Sequence, residues 1–140
     1  GGLSAALLLI YPMLDDRTAT KVDPAPDFGE FVWTRSANKY AWEAYLGAAA
    51  GGDNTPAYAA AARAKDLTGL PPTFIGVGSM DLFLCEDLEY GRRLMAAGVP
   101  TEVMVVPGAY HVFDMFVPEA ELSRRFMEAY CAGLKRTLGL

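Results

Sequence analysis

Two residue types able to move and stabilise a proton, Asp81 and His111, each follow directly on an apolar run of strand-like composition. His111 is the only histidine in the 140 residues. A buried aspartate that accepts a hydrogen bond from one imidazole nitrogen fixes the tautomer and stabilises the imidazolium, leaving the other nitrogen free to take a proton from a nucleophile. Acid before base, both after an earlier nucleophile, is also the chain order of the Ser-Asp-His arrangement on α/β sheets. Taken by themselves, a lone histidine and a strand-end aspartate are more often a packed residue and a cap, so the elements that carry them decide the matter.

Those elements are two strands and the helix between them. Thr73-Phe74-Ile75-Gly76-Val77-Gly78-Ser79-Met80 and Thr101-Glu102-Val103-Met104-Val105-Val106 read as buried strands. The segment between is a helix: Glu86, Asp87 and Glu89 stand early and Arg92 and Arg93 late, matching the macrodipole, with Gly98 and Pro100 as stop signals. Leu84, Leu88, Gly91, Leu94 and Met95 form the stripe expected to face the sheet, with the charges in water. Strand, helix, strand is a parallel crossover, and ligand crevices of open parallel sheets lie outside the carboxyl ends of the strands. Asp81 and His111 both stand at such ends.

Upstream, Leu7-Leu8-Leu9-Ile10-Tyr11 before Pro12 reads as an interior strand ending at Asp15 and Asp16. Residues 17–31, with Pro24, Pro26 and Gly29, make a loop long enough to line or cover a site. Ser36 or Asn38 is expected to cap a helix through Tyr40, Trp42 and Tyr45 that ends at Gly47. Downstream, Pro118 and Glu119 open a last helix with a stripe of Leu122, Phe126, Tyr130 and Leu134, widened by Met127, Cys131 and Leu138. The order β, loop, α, β, α, β, α makes the class α/β with mainly parallel strands flanked by helices.

A net charge of −5 and a pI near 4.8 argue against a nucleic-acid or anionic-membrane surface, and no basic run overrides them. The apolar stretches fall short of the roughly 20 residues of a membrane span. Cys85 and Cys131 lack metal-ligand spacing and read as reduced and partly buried, with a disulfide left open. Three strands as apolar as these would leave sticky edges, so the chain reads as part of a larger unit. The helix-like start of residues 1–6 runs into a strand without a turn, which predicts residues missing between about Ser4 and Leu8.

Leu9-Ile10-Tyr11-Pro12-Met13-Leu14-Asp15-Asp16-Arg17, Gly76-Val77-Gly78-Ser79-Met80-Asp81-Leu82, Ala97-Gly98-Val99-Pro100 and Pro107-Gly108-Ala109-Tyr110-His111-Val112-Phe113 together resemble the hormone-sensitive-lipase-like family of α/β-hydrolase esterases. The resemblance implies that residues 1–140 are the C-terminal portion of a single catalytic domain, with Asp81 and His111 as acid and base of the triad. The family's Gly-Asp-Ser-Ala-Gly-Gly elbow and His-Gly-Gly-Gly oxyanion loop do not occur here. Gly1-Gly2 resemble the glycines after the nucleophile, and Ser4 is expected to be an ordinary helix residue. Ser36, Ser79 and Ser123 read as a cap, a strand end and a helix-surface residue.

The implied activity is a serine carboxylesterase of short to medium acyl esters, in which Phe31, Trp33, Leu82, Phe83, Val112 and Phe113 border the substrate. It needs no metal or organic cofactor, and the 140 residues alone would be inactive. A small-molecule ester is the expected partner, nucleic acid is not, a homo-oligomer of the full-length protein stays open, and the cytoplasm is the expected location. A non-catalytic small-ligand binder on the same fold is the alternative. Val112 departs from the glycine common after the family's histidine, a strain point if that residue needs a positive φ.

Overall fold

The computed structural model describes residues 5–22, 24 and 27–140; the Ser4 expectation, the suspected gap as far as it involves Ser4, and Pro26 lie outside the described residues. Strands β1 (Leu7–Ile10), β2 (Thr73–Gly78) and β3 (Thr101–Val106) form a parallel sheet in the order β1-β2-β3. Thr73 is aligned with Leu7 on one side and with Thr101 on the other, so the three strands start together, and β2 and β3 also end together, Gly78 beside Val106. Helix α1 (Arg35–Leu46) lies in the long β1–β2 connection, α2 (Leu84–Ala96) joins β2 to β3, and the short α3 (Phe113–Phe116) precedes α4 (Glu121–Leu138).

Successive β2 side chains point to opposite faces and each face meets its own helix. Ile75 joins Leu14, Leu67, Tyr90, Leu94 and Val99 on the α2 side. On the other side lie Val106, Ala109, Phe113 and the α4 residue Phe126. Two glycines set the helix spacing: a Cβ on Gly91 would lie 2.7 Å from Val103 Cγ2, and one on Gly133 2.4 Å from the Phe74 ring. Only β2 is buried throughout. Strands β1 and β3 are largely half-buried because, among the described residues, each pairs only with β2, so the both-face burial expected of β1 is not found.

The helix faces differ from those the apolar periodicity predicts. On α2 the buried residues are Glu86, Asp87, Tyr90, Gly91 and Leu94, while Leu88 and Met95 are exposed. Helix α2 turns this way because Glu86 accepts the backbone N–H groups of Leu14 at 2.5 Å and Asp15 at 3.0 Å. On α4 Ser123 is buried with Phe126 and Gly133, and Leu122 and Met127 face outward, so Ser123 is no surface residue. Helix α1 is capped by Thr34, whose hydroxyl accepts the Ala37 N–H, not by Ser36 or Asn38. Pro118 stands ahead of α4, outside its first turn, and Ala120 is the cap. Both cysteines are free and exposed, which corrects the expected partial burial, and no disulfide joins them.

Candidate active site

β2 stops at Gly78 because the turn after it crosses the end of β3. A Cβ on Gly78 would fall 2.2 Å from the Ala109 carbonyl oxygen, and Met80 N–H donates to that same oxygen at 2.9 Å. Ser79 Oγ accepts the Gly108 N–H at 2.8 Å, tying the second turn to the first. The two turns are thereby locked together, and each presents one polar side chain. Asp81 Oδ1 accepts the Phe83 N–H at 3.0 Å, and Oδ2 lies 2.9 Å from His111 Nδ1. Asp81 is 1 % exposed and His111 9 %, so the contact is shielded from water. With Nδ1 committed to the carboxylate, Nε2 is the nitrogen left to exchange a proton.

Three rings enclose the imidazole. Tyr11 meets it edge-on at 4.8 Å, Phe83 edge-on at 5.4 Å, and Trp33 is tilted over it at 5.8 Å. Tyr11 has a positive φ of 38° at the end of β1, and its phenol is pushed up to about 12, by burial first and then by the Asp114 carboxylate that it also hydrogen-bonds. The 17–31 loop does reach the site: Gly29 N–H donates to Met80 O at 3.3 Å, and Phe31 lies against Tyr110. Gly29 has a φ of +75°, and a Cβ there would lie 2.7 Å from Leu82. No side chain fits between loop and turn.

Of the six residues expected to border a substrate, Trp33 and Phe83 pack on His111 and Val112 follows it, with Trp33 and Val112 half-buried and Phe83 1 % exposed, while Phe31, half exposed, lies against Tyr110. Leu82 and Phe113 turn inward instead: Leu82 is 0 % exposed beneath Gly29, and Phe113 packs on Phe126 at 5.3 Å. Val112 has φ 63° and ψ 21°, the left-handed conformation that its departure from glycine makes costly. Tyr11 and Asn38 belong to the surroundings without having been picked out as site residues. Tyr11's signal was its place between an apolar run and Pro12; Asn38 carried none beyond a cap reading.

Behind the pair lie two further acids. Glu86 is pushed up to about 7, by burial above all, against the hydrogen bonds it accepts from Thr18, Leu14 and Asp15. Asp87 is wholly buried with neither carboxylate oxygen hydrogen-bonded, and burial, then Glu86 and Asp81, raise it well above the ordinary range. These are not the solvated helix-start charges that the sequence suggests. Among the described residues no group of three or more His, Cys, Asp or Glu side chains could hold a metal.

The family profile described as the alpha/beta hydrolase fold matches residues 3–115, and the chain belongs to that family. A solved hormone-sensitive lipase from a metagenome library is 26 % identical with a TM-score of 0.74, over 89 % of this chain and 42 % of its own. The solved bacterial heroin esterase is 33 % identical with a TM-score of 0.84, over 95 % of this chain and 42 % of its own. Esterase LipW from Mycobacterium marinum is 34 % identical with a TM-score of 0.73, over 91 % of this chain and 39 % of its own. A stretch of 50 residues is 46 % identical to esterase LipI of Mycobacterium tuberculosis, 36 % of this chain and 16 % of that protein. The chain thus spans about two fifths of the length of these solved relatives.

Proposed function

We propose that Asp81 and His111 are the acid and base of a serine carboxylesterase acting on short to medium acyl esters, and that the nucleophile and oxyanion hole come from polypeptide outside these 140 residues. The observation that carries the reading is the shielded 2.9 Å contact between Asp81 Oδ2 and His111 Nδ1 at the ends of adjacent strand turns. His111 Nε2 takes the serine proton as the hydroxyl attacks the ester carbonyl and returns it to the departing alcohol. Asp81 holds the tautomer and stabilises the imidazolium. General-base action of this kind contributes on the order of 10²–10⁴ in rate.

The apolar side chains of Phe31 and Trp33, which keep exposed surface here, suit an acyl chain better than a charged substrate. That the solved neighbours are named as esterases supports the same class. A fluorophosphonate probe on the complete polypeptide that carries this chain tests the proposal: a single labelled serine, lost on His111→Ala, supports it. An unlabelled protein that still binds a small apolar ligand would instead establish the binding-protein alternative.

A further inference from the structure

Two of the three rings around His111 are placed by the sheet, Tyr11 at the end of β1 and Phe83 inside the Asp81 turn. Trp33 belongs to neither; it sits in the long loop, and a single hydrogen bond to a side chain fixes its indole. Trp33 Nε1–H donates to Asn38 Oδ1 at 3.2 Å, and Asn38 Nδ2 donates to the Thr18 carbonyl at 2.8 Å. The amide can be oriented in only one way, since an indole N–H only donates and a carbonyl only accepts. Asn38 is 0 % exposed within α1, where asparagine is a poor helix former and an amide without partners is costly. Its two bonds point to a specific task.

We propose that Asn38 and Trp33 form a positioning pair for His111. Asn38 grips the indole, and the indole, with its ring centre 5.8 Å from that of the imidazole and tilted by 43°, confines the ring against Asp81 and favours the imidazolium that forms as the serine proton is taken. The catalytic part rests on the esterase reading; the geometric part does not. Thr18 extends the connection, because its hydroxyl bonds Glu86 while Glu86 caps the chain after β1. The loop that carries Trp33 is in this way referenced to the same helix that follows Asp81.

The ring protons of His111 make a direct test available, since in the complete polypeptide they are identified as the histidine NMR signals that disappear in His111→Ala. Asn38→Leu and Trp33→Leu are expected to displace these signals in the same direction, and the double variant to match Trp33→Leu alone, because Asn38 acts through Trp33. With a p-nitrophenyl acetate assay, kcat should fall about five- to thirtyfold in each, from the size of a cation–π contact, with KM little changed. If Asn38→Leu does not fold, Trp33→Phe keeps an aromatic ring while removing the anchored N–H together with the rest of the pyrrole ring, and should give a smaller displacement and a smaller fall than Trp33→Leu. Unmoved histidine signals in Trp33→Leu, or effects of the two substitutions that simply add, would overturn the proposal. A polypeptide without esterase activity whose histidine signals still move as expected would sink the esterase reading alone.

Discussion

Asp81 divides its two oxygens between two tasks, and that division makes a sharp test. Oδ1 holds the turn through the Phe83 N–H and Oδ2 holds His111. Asp81→Asn keeps the first contact and turns an N–H₂ group on Nδ1, which then must accept. The imidazole proton is driven to Nε2, the position that receives the serine proton in the proposed reaction. The fold should survive with an unchanged melting temperature while kcat falls by about 10⁴-fold, the size of effect known for this tautomer error. A kcat within tenfold of the parent would remove Asp81 from the acid role. Val112 is the strained neighbour in the same stretch: its carbonyl accepts the Met115 and Phe116 N–H groups, so its left-handed backbone starts α3 directly behind the base.

At the scale of elements, two buried acids outside the Asp81–His111 pair carry opposite pH signs. Glu86, raised from 4.5 to about 7, keeps its proton in the folded protein where the unfolded chain has lost it. Stability therefore falls as pH rises through that window. Glu86→Gln retains the acceptor for Leu14 and Asp15 and cannot ionise. Urea unfolding should show its stability relative to the parent growing by up to about 3 kcal/mol between the two pKa values; a difference flat with pH would refute it.

Asp16 is the reverse case. Burial works to raise its carboxyl, but Arg63, Thr55 and the Gly51 N–H together hold it below the ordinary range. Its contribution is present above the unfolded pKa and is lost as pH falls through the folded one. Arg63 reaches it with Nε at 2.7 Å and Nη2 at 3.0 Å, pinning the turn at residues 61–63 to the chain after β1. Arg63→Met should cost about 3 kcal/mol at neutral pH, because it leaves a charge buried with too few donors; a urea midpoint equal to the parent's would refute this role.

These acids also mark where sequence reading stops. The strand ends and the crossover helix are legible because apolar runs and end signals are local, and so Asp81 and His111 could be set on one rim before any coordinates. Which face of α2 is buried depends on Glu86 meeting a backbone 72 residues away. Asn38 is buried for the same kind of reason, as a polar residue whose partners, Trp33 and Thr18, lie outside its helix, and periodicity has no term for that. Leu82 and Phe113, beside the catalytic candidates in sequence, turn inward because neighbouring residues in a turn or at a helix start face different ways.

At the scale of the whole molecule, the sheet has two free edges among the described residues, and both are apolar. β1 is four residues of leucine and isoleucine bonded on one side only, and β3 exposes Val105 on the other. Charge, proline or a bulge normally blunts such edges; β1 has none of these, and the only charged residue of β3 is Glu102, which pairs with Arg136 at 2.7 Å. Met115, Phe116 and Val117 add an exposed apolar patch beyond the end of β3. Produced by itself, the 140-residue, 15.1 kDa chain should therefore self-associate, and sedimentation velocity should show a mass rising with concentration through the micromolar range. It should also take up no fluorophosphonate label, since the proposed reading places the nucleophile outside these residues. A sharp monomer boundary at every concentration would mean that the edges are better protected than their composition indicates. Covalent labelling of the separate chain would place a nucleophile within these residues and overturn the division of the triad proposed here.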